Sequence, residues 1–141
     1  MSPKILVIVG LALATALGAL AVLLRQQPVL GEASYAIPAD DPQLGRRVYV
    51  RCQACHGLDG QGVPGNYPPL AGAPRLVAAD PSMAIRLTLT GAPRGAFNGQ
   101  MPAFADLADH EVAAVLTWTR SQWGNAAPAV TSEQVARVRS P

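Results

Sequence analysis

The chain has 141 residues and a formal net charge of +2; half of its residues are hydrophobic and 14% are charged. Lys4 and Arg25 bracket an apolar run, and beyond Arg25 nine arginines and no lysine stand against nine acidic residues, so the remainder is formally neutral. That balance excludes a nucleic-acid binder and a polybasic membrane patch.

Ile5 to Leu24 contains only Ile, Leu, Val, Ala, Gly and Thr. As a helix rising about 1.5 Å per residue, it would cross roughly 30 Å of hydrocarbon. Ala19-Leu20-Ala21 offers a signal-peptidase-like site, but Val22-Leu23-Leu24 carry the run past the usual apolar length of a cleaved leader. Residues 1–24 therefore read as an uncleaved signal anchor, and a cleaved leader is the alternative. Lys4 and the terminal amine place the N-terminus in the cytoplasm by the positive-inside bias, and either reading exports the remainder. Residues 25–40, interrupted by Pro28 and Pro38 and without amphipathic period, read as a linker with an extended reach of roughly 50 Å.

Asp41-Pro42 starts a helix that the spacing of Leu44, Val48 and Cys52 carries to about Cys52. Gly45 lacks a Cβ and would let another helix cross at close range, with Tyr49 beside Trp118; otherwise it only weakens an exposed helix. The two cysteines of the chain then occur together, in Cys52-Gln53-Ala54-Cys55-His56. C-x-x-C-H is the attachment signature of a c-type haem: two thiols three positions apart bond one porphyrin, and the next side chain falls under the iron as proximal ligand. A dithiol redox centre belongs beside a βαβ pattern that is not visible here. Zinc needs further ligands, and only His110 remains. A plain disulfide leaves His56 unexplained.

Downstream, Gly57 to Pro74 is dense in glycine and proline. Asp80-Pro81 starts a second helix carrying Met83, Ile85, Leu87 and Leu89 until Gly91. Asp109 caps a third, with Val112, Val115, Leu116 and Thr119 as its apolar stripe and Gly124-Asn125 as its end. The expectation is one all-α domain over 41–125 with long irregular loops, followed by a C-terminal extension over 126–141. About 85 residues with few aromatics bury little apolar surface unaided; a covalent porphyrin would complete the core. Arg46, Arg47, Arg51, Arg75, Arg86 and Arg94 share the stretch from 46 to 94 with only Asp59 and Asp80. They read as a solvated face, or as partners for haem propionates or an acidic redox protein.

The sixth position on the iron has three candidates. Met83 lies on an amphipathic helix, where methionine is usually core filler. His110 lies in the first turn of the third helix and is expected in solvent. Met101 sits in the loop Asn98-Gly99-Gln100-Met101-Pro102, where glycine allows a sharp approach and proline stiffens the exit, and it is the expected ligand.

Cys52 to Gly57, Asp59-Gly60-Gln61-Gly62, Tyr67-Pro68-Pro69-Leu70-Ala71-Gly72, Asn98 to Phe104 and Leu116-Thr117-Trp118-Thr119-Arg120 together resemble class I c-type cytochromes. The resemblance covers most of Asp41 to Asn125 and is greatest to haem domains of membrane-bound bacterial dehydrogenases and oxidases. It implies the class I cytochrome c fold, with three main helices around one haem c bonded to Cys52 and Cys55. Among its expected contacts, a proline carbonyl, Pro69 or Pro68, accepts the other ring N–H of His56. Leu70 and Phe104 pack on the porphyrin, and Asn98 or Gln100 donates toward the Met101 sulfur. The implied function is one-electron transfer in a respiratory chain, with no catalytic residue, to redox partners such as membrane dehydrogenase or oxidase subunits. Haem attachment outside the cytoplasm would put the domain on the periplasmic face of a bacterial inner membrane, or free in the periplasm if the leader is cleaved. The alternatives are a fixed subunit of a dehydrogenase or terminal oxidase, and a haem enzyme or gas sensor with a displaceable sixth ligand.

Overall fold

The computed structural model describes residues 41–93, 95 and 98–140. The expected anchor at 5–24 and the whole linker at 25–40 lie outside them, and no helix among the described residues is long and apolar enough to cross a membrane. Among the described residues there are five helices: α1 Leu44–His56, α2 Pro74–Val77, α3 Ser82–Thr90, α4 Asp109–Thr119 and α5 Ser132–Arg139. Apart from two isolated bridges, Val63 with Tyr67 and Ala92 with Met101, there is no strand pairing among the described residues.

α1 and α3 begin where an aspartate side chain takes up free N–H groups. Asp41 accepts from Gln43 N–H through its carboxylate at 2.8 Å and from Leu44 N–H through its carbonyl at 3.0 Å. α1 then runs one turn further than the sequence suggested and carries the whole pentad to His56. Asp80 does the same for α3, accepting from Ser82 N–H at 2.9 Å and from its hydroxyl at 2.6 Å. α4 differs from expectation at both ends. Its N-cap is Ala108, whose N–H donates to the Glu111 carboxylate at 2.8 Å, and Asp109 is the first helical residue. It stops at Thr119 rather than near Gly124, because Asn125 folds back and donates to Thr119 O at 2.9 Å and to Leu70 O at 3.2 Å while accepting from Gly72 N–H at 2.7 Å.

The core forms where α1 crosses α4. A Cβ on Gly45 would meet the Ala114 carbonyl oxygen and lie 2.6 Å from Trp118 Cβ, so only glycine permits the crossing. Tyr49 and Trp118 rings pack beside it at 4.7 Å between centroids. The stripe Val112, Val115, Leu116 and Thr119 is buried, as its spacing implied. In α3 the buried positions are Ala84, Ile85, Thr88 and Leu89. Met83 lies on the other face with Arg86 and Thr90 and is 49% exposed, so it is not the core filler expected. The 126–141 extension is not a loose tail: Val130 and Val135 are buried, and α5 packs on α4 and α3.

Arg120, just past α4, is fully buried and has no carboxylate partner among the described residues. Its guanidinium donates to the carbonyls of Leu76, of Ala78 at 2.9 Å and of Pro128 at 2.8 Å. Burial pushes its pKa down from the usual guanidinium value, and the three carbonyl dipoles compensate the charge. One side chain thereby ties α2, the end of α4 and the lead into α5.

Candidate functional site

α1 brings the pentad to the wall of a cavity of about 730 Å³, inside the range of roughly 300–1,000 Å³ typical of cofactor sites. Cys52, Cys55 and His56 all line it. The cysteines are half-buried free thiols, so no disulfide competes for them. Burial raises the Cys52 thiol to about 11, with Arg51 pulling the other way. Among the described residues no group of three or more His, Cys, Asp or Glu could hold a metal ion.

His56 is buried, and its Nδ1 lies 2.9 Å from the Pro68 carbonyl. A carbonyl only accepts, so Nδ1 carries the hydrogen and Nε2 keeps its lone pair. Burial lowers the imidazole pKa, with the Pro68 bond opposing, and the lowering favours the neutral ring that a metal ligand requires. The acceptor is Pro68 and not Pro69. The Tyr67 carbonyl is taken by Val63 N–H at 3.0 Å and Gly60 O takes Leu70 N–H at 2.7 Å, so the chain is fixed on both sides of the prolines with the Pro68 oxygen toward the ring. Pro69 and Leu70 still line the cavity.

Met101 reaches the same cavity from its loop. Its main chain pairs with Ala92, N–H to O at 3.1 Å and O from N–H at 3.0 Å, and Phe104 N–H is held by Thr88 O at 3.0 Å. Gly99 lies against the Tyr67 ring, where a Cβ would collide, and donates to Asn66 O at 2.8 Å. Met83 and His110 are not in the cavity wall, and His110 is half-buried rather than fully in solvent. Phe104 is buried in the wall. Asn98 and Gln100 are exposed, and among the described residues neither donates to the Met101 sulfur.

Two half-buried thiols, one imidazole with a fixed second nitrogen and one thioether share a large, mainly apolar wall, surroundings that fit a covalent c-type haem. The chain also matches the family model for cytochrome c over residues 42–123.

The chain belongs to the cytochrome c family.

It is 36% identical over 110 residues to cytochrome c-552 of Thermus thermophilus, covering 68% of this chain and 84% of that protein. It is 39% identical over 109 residues to the gluconate 2-dehydrogenase cytochrome c subunit of Pantoea cypripedii, covering 71% of this chain and 25% of that subunit. A third relative is the cytochrome c subunit of the quinone alcohol dehydrogenase of Gluconobacter oxydans, 35% identical over 104 residues, 68% of this chain and 22% of that subunit. The cytochrome thus spans about a quarter of those dehydrogenase subunits. Its cofactor is one haem c at Cys52 and Cys55, and its function is electron transfer.

Several residues that build the site gave little signal in the sequence. The Tyr49 hydroxyl donates to Gly57 O at 2.6 Å, closing α1 just after the pentad. Burial, with charge at Cys52 and Asp59, pushes that phenol up to about 12, so it stays a neutral donor. Trp123 covers Gly60 and donates to Leu58 O at 3.0 Å, pinning the loop that leads to Pro68. Its remoteness from the pentad, 65 residues from Leu58, hides this pairing from any local reading.

Proposed function

We propose that this cytochrome passes single electrons between partners of a respiratory chain with its haem iron held by His56 and Met101. The observation that carries this reading is one cavity wall containing Cys52, Cys55, His56 and Met101 but neither Met83 nor His110. A haem c bound there supplies reversible one-electron exchange at iron. The two thiols retain the group, and Pro68 holds His56 in the tautomer whose Nε2 can ligate. Leu70, Phe104 and Leu107 make the wall apolar, and a thioether ligand favours the reduced state. Nothing in this arrangement asks for a bond change in a substrate.

The ferric holoprotein should show a methionine-to-iron charge-transfer band that Met101→Ala abolishes. A wild-type spectrum without the band, or one that Met101→Ala leaves unchanged, would overturn the axial pair and favour a haem enzyme or gas sensor with an open sixth position.

The apolar run 5–24 supports a membrane tether with the N-terminus in the cytoplasm and the haem domain in the periplasm. Haem staining that stays with membranes after an alkaline carbonate wash is the expected result; staining in the soluble periplasmic fraction would mean that the leader is cleaved. A second reading, a fixed haem subunit of a membrane dehydrogenase, is favoured by the similarity to the gluconate and alcohol dehydrogenase subunits. Gentle solubilisation separates the two: a co-purifying dehydrogenase supports the fixed subunit, and a lone monomer under all conditions supports the shuttle.

A further inference from the structure

α5 lies beyond the 42–123 stretch that matches the cytochrome c family, yet through one side chain it reaches the turn that carries Phe104 and Leu107 of the cavity wall. Arg139 donates from Nε to Asp109 Oδ1 at 2.7 Å, from Nη1 to Ala105 O at 3.0 Å and from Nη2 to Leu107 O at 2.6 Å. A planar guanidinium can meet three acceptors at once in a fixed geometry, which an ammonium cannot reproduce.

The helix carrying this fork is itself fixed. Val135 is completely buried. The Thr117 hydroxyl of α4 donates to Val130 O at 3.2 Å and accepts from Val130 N–H at 2.9 Å. Thr131 and Gln134 cap α5 reciprocally, Thr131 N–H donating to Gln134 Oε1 at 2.8 Å and Gln134 N–H to Thr131 Oγ1 at 3.3 Å.

What Arg139 grips is the turn from Phe104 to Leu107, closed by Leu107 N–H to Phe104 O at 3.1 Å. Phe104 and Leu107 are buried in the cavity wall, and Met101 is three residues upstream in the same wall. From the other flank Arg51 of α1 holds the turn, pairing with Asp106 at 2.6 and 3.1 Å and standing 5.0 Å over the Phe104 ring. Two arginines from two helices thus grip one turn beside Met101. Removing Arg139 leaves the Arg51 pair and the Phe104-to-Thr88 bond in place, so the turn should loosen and the fold persist.

We infer that Arg139 is a positioning residue for the sixth axial ligand: by holding the 104–107 turn from α5, it sets how readily Met101 leaves the iron. The inference rests on Met101 being that ligand. Its test is an imidazole titration of the ferric holoprotein, read as loss of the methionine charge-transfer band, in wild type, Arg139→Ala and Arg139→Lys. Amide hydrogen exchange at residues 104–107 is followed in parallel. Arg139→Ala should bind imidazole roughly three- to five-fold more tightly and exchange faster across the turn, with Arg139→Lys intermediate. Asp109→Asn, which removes one of the three acceptors' charge, should move both readouts in the same direction by less. An unchanged imidazole affinity in Arg139→Ala, whether or not its melting temperature falls, would overturn the inference. A charge-transfer band absent from wild type, with Met101→Ala binding imidazole no more tightly, would instead overturn the ligand assignment itself, and the exchange data would still report whether Arg139 holds the turn.

Discussion

Gly45→Ala puts a methyl group where α4 already stands. The new Cβ would lie 2.6 Å from Trp118 Cβ and in collision with the Ala114 carbonyl oxygen, whereas carbons pack at about 3.5–4.0 Å. Neither neighbour can rotate away, since one is main chain and the other is the first atom of a side chain. The helices must separate by about 1 Å, which also disturbs the 4.7 Å contact of Tyr49 with Trp118. Overpacking of this kind costs up to about 3 kcal/mol, and alanine's better helix propensity returns about 1 kcal/mol. The net loss is about 2 kcal/mol, a fall in melting temperature on the order of 10 °C for a domain of this size. Thermal unfolding of the holoprotein followed by far-UV circular dichroism measures it. A glycine that merely weakened an exposed helix would give the opposite sign, so a melting temperature equal to or above wild type would refute the close crossing.

Arg120→Met removes the guanidinium from three carbonyls and should destabilise by about 3–5 kcal/mol in guanidinium titration, with Arg120→Lys in between because an ammonium cannot form the fork; equal stability of all three proteins would contradict the buried tie. Gly99→Ala drives a methyl into the Tyr67 ring and to 2.6 Å from the Asn66 carbonyl oxygen and should weaken the charge-transfer band assigned to Met101, and Tyr67→Ala in the same chain should restore it only in part, because the Asn66 oxygen remains; independent effects in a double-mutant cycle would argue against the ring contact. Hydrogen bonds from Ser82, Arg51 and Thr131 hold the carboxylates of Asp80, Asp106 and Glu133 below their usual pKa. A depressed folded-state pKa contributes stability that is full above the unfolded value, about 4, and is lost as pH falls through the folded value. Melting temperature should therefore hold from neutral pH to about 5 and drop below 4, with Asp80→Asn flattening part of the drop.

The parts of the site written in adjacent residues were legible in the chain. Cys52, Cys55 and His56 stand together because one helical turn must present them to one porphyrin, and the glycine and proline around Met101 mark it as the candidate for the sixth position. Choosing Pro68 over Pro69 was not possible from spacing, since it depends on which carbonyls the Val63–Tyr67 and Gly60–Leu70 contacts leave free. Met83 misled for a related reason: its helix has two faces, and only packing against α4 and α5 decided that Ala84 and Ile85 go inward. The end of α4 was misplaced because Asn125 satisfies the helix terminus from six residues away.

By itself the sequence determined the cofactor and its attachment, because the chemistry of thioether bonding and axial ligation fixes residue types at fixed short spacings. It also determined an all-α domain, through the 3.6-residue period of its apolar stripes. Only the tertiary structure decided what steadies the ligands. Arg120, Arg139 and Trp123 act on segments 30 or more residues distant or on main-chain oxygens, and a carbonyl has no residue identity for a sequence pattern to display. The same holds for α5, whose short amphipathic run gave no sign that its last arginine would reach the turn beside Met101.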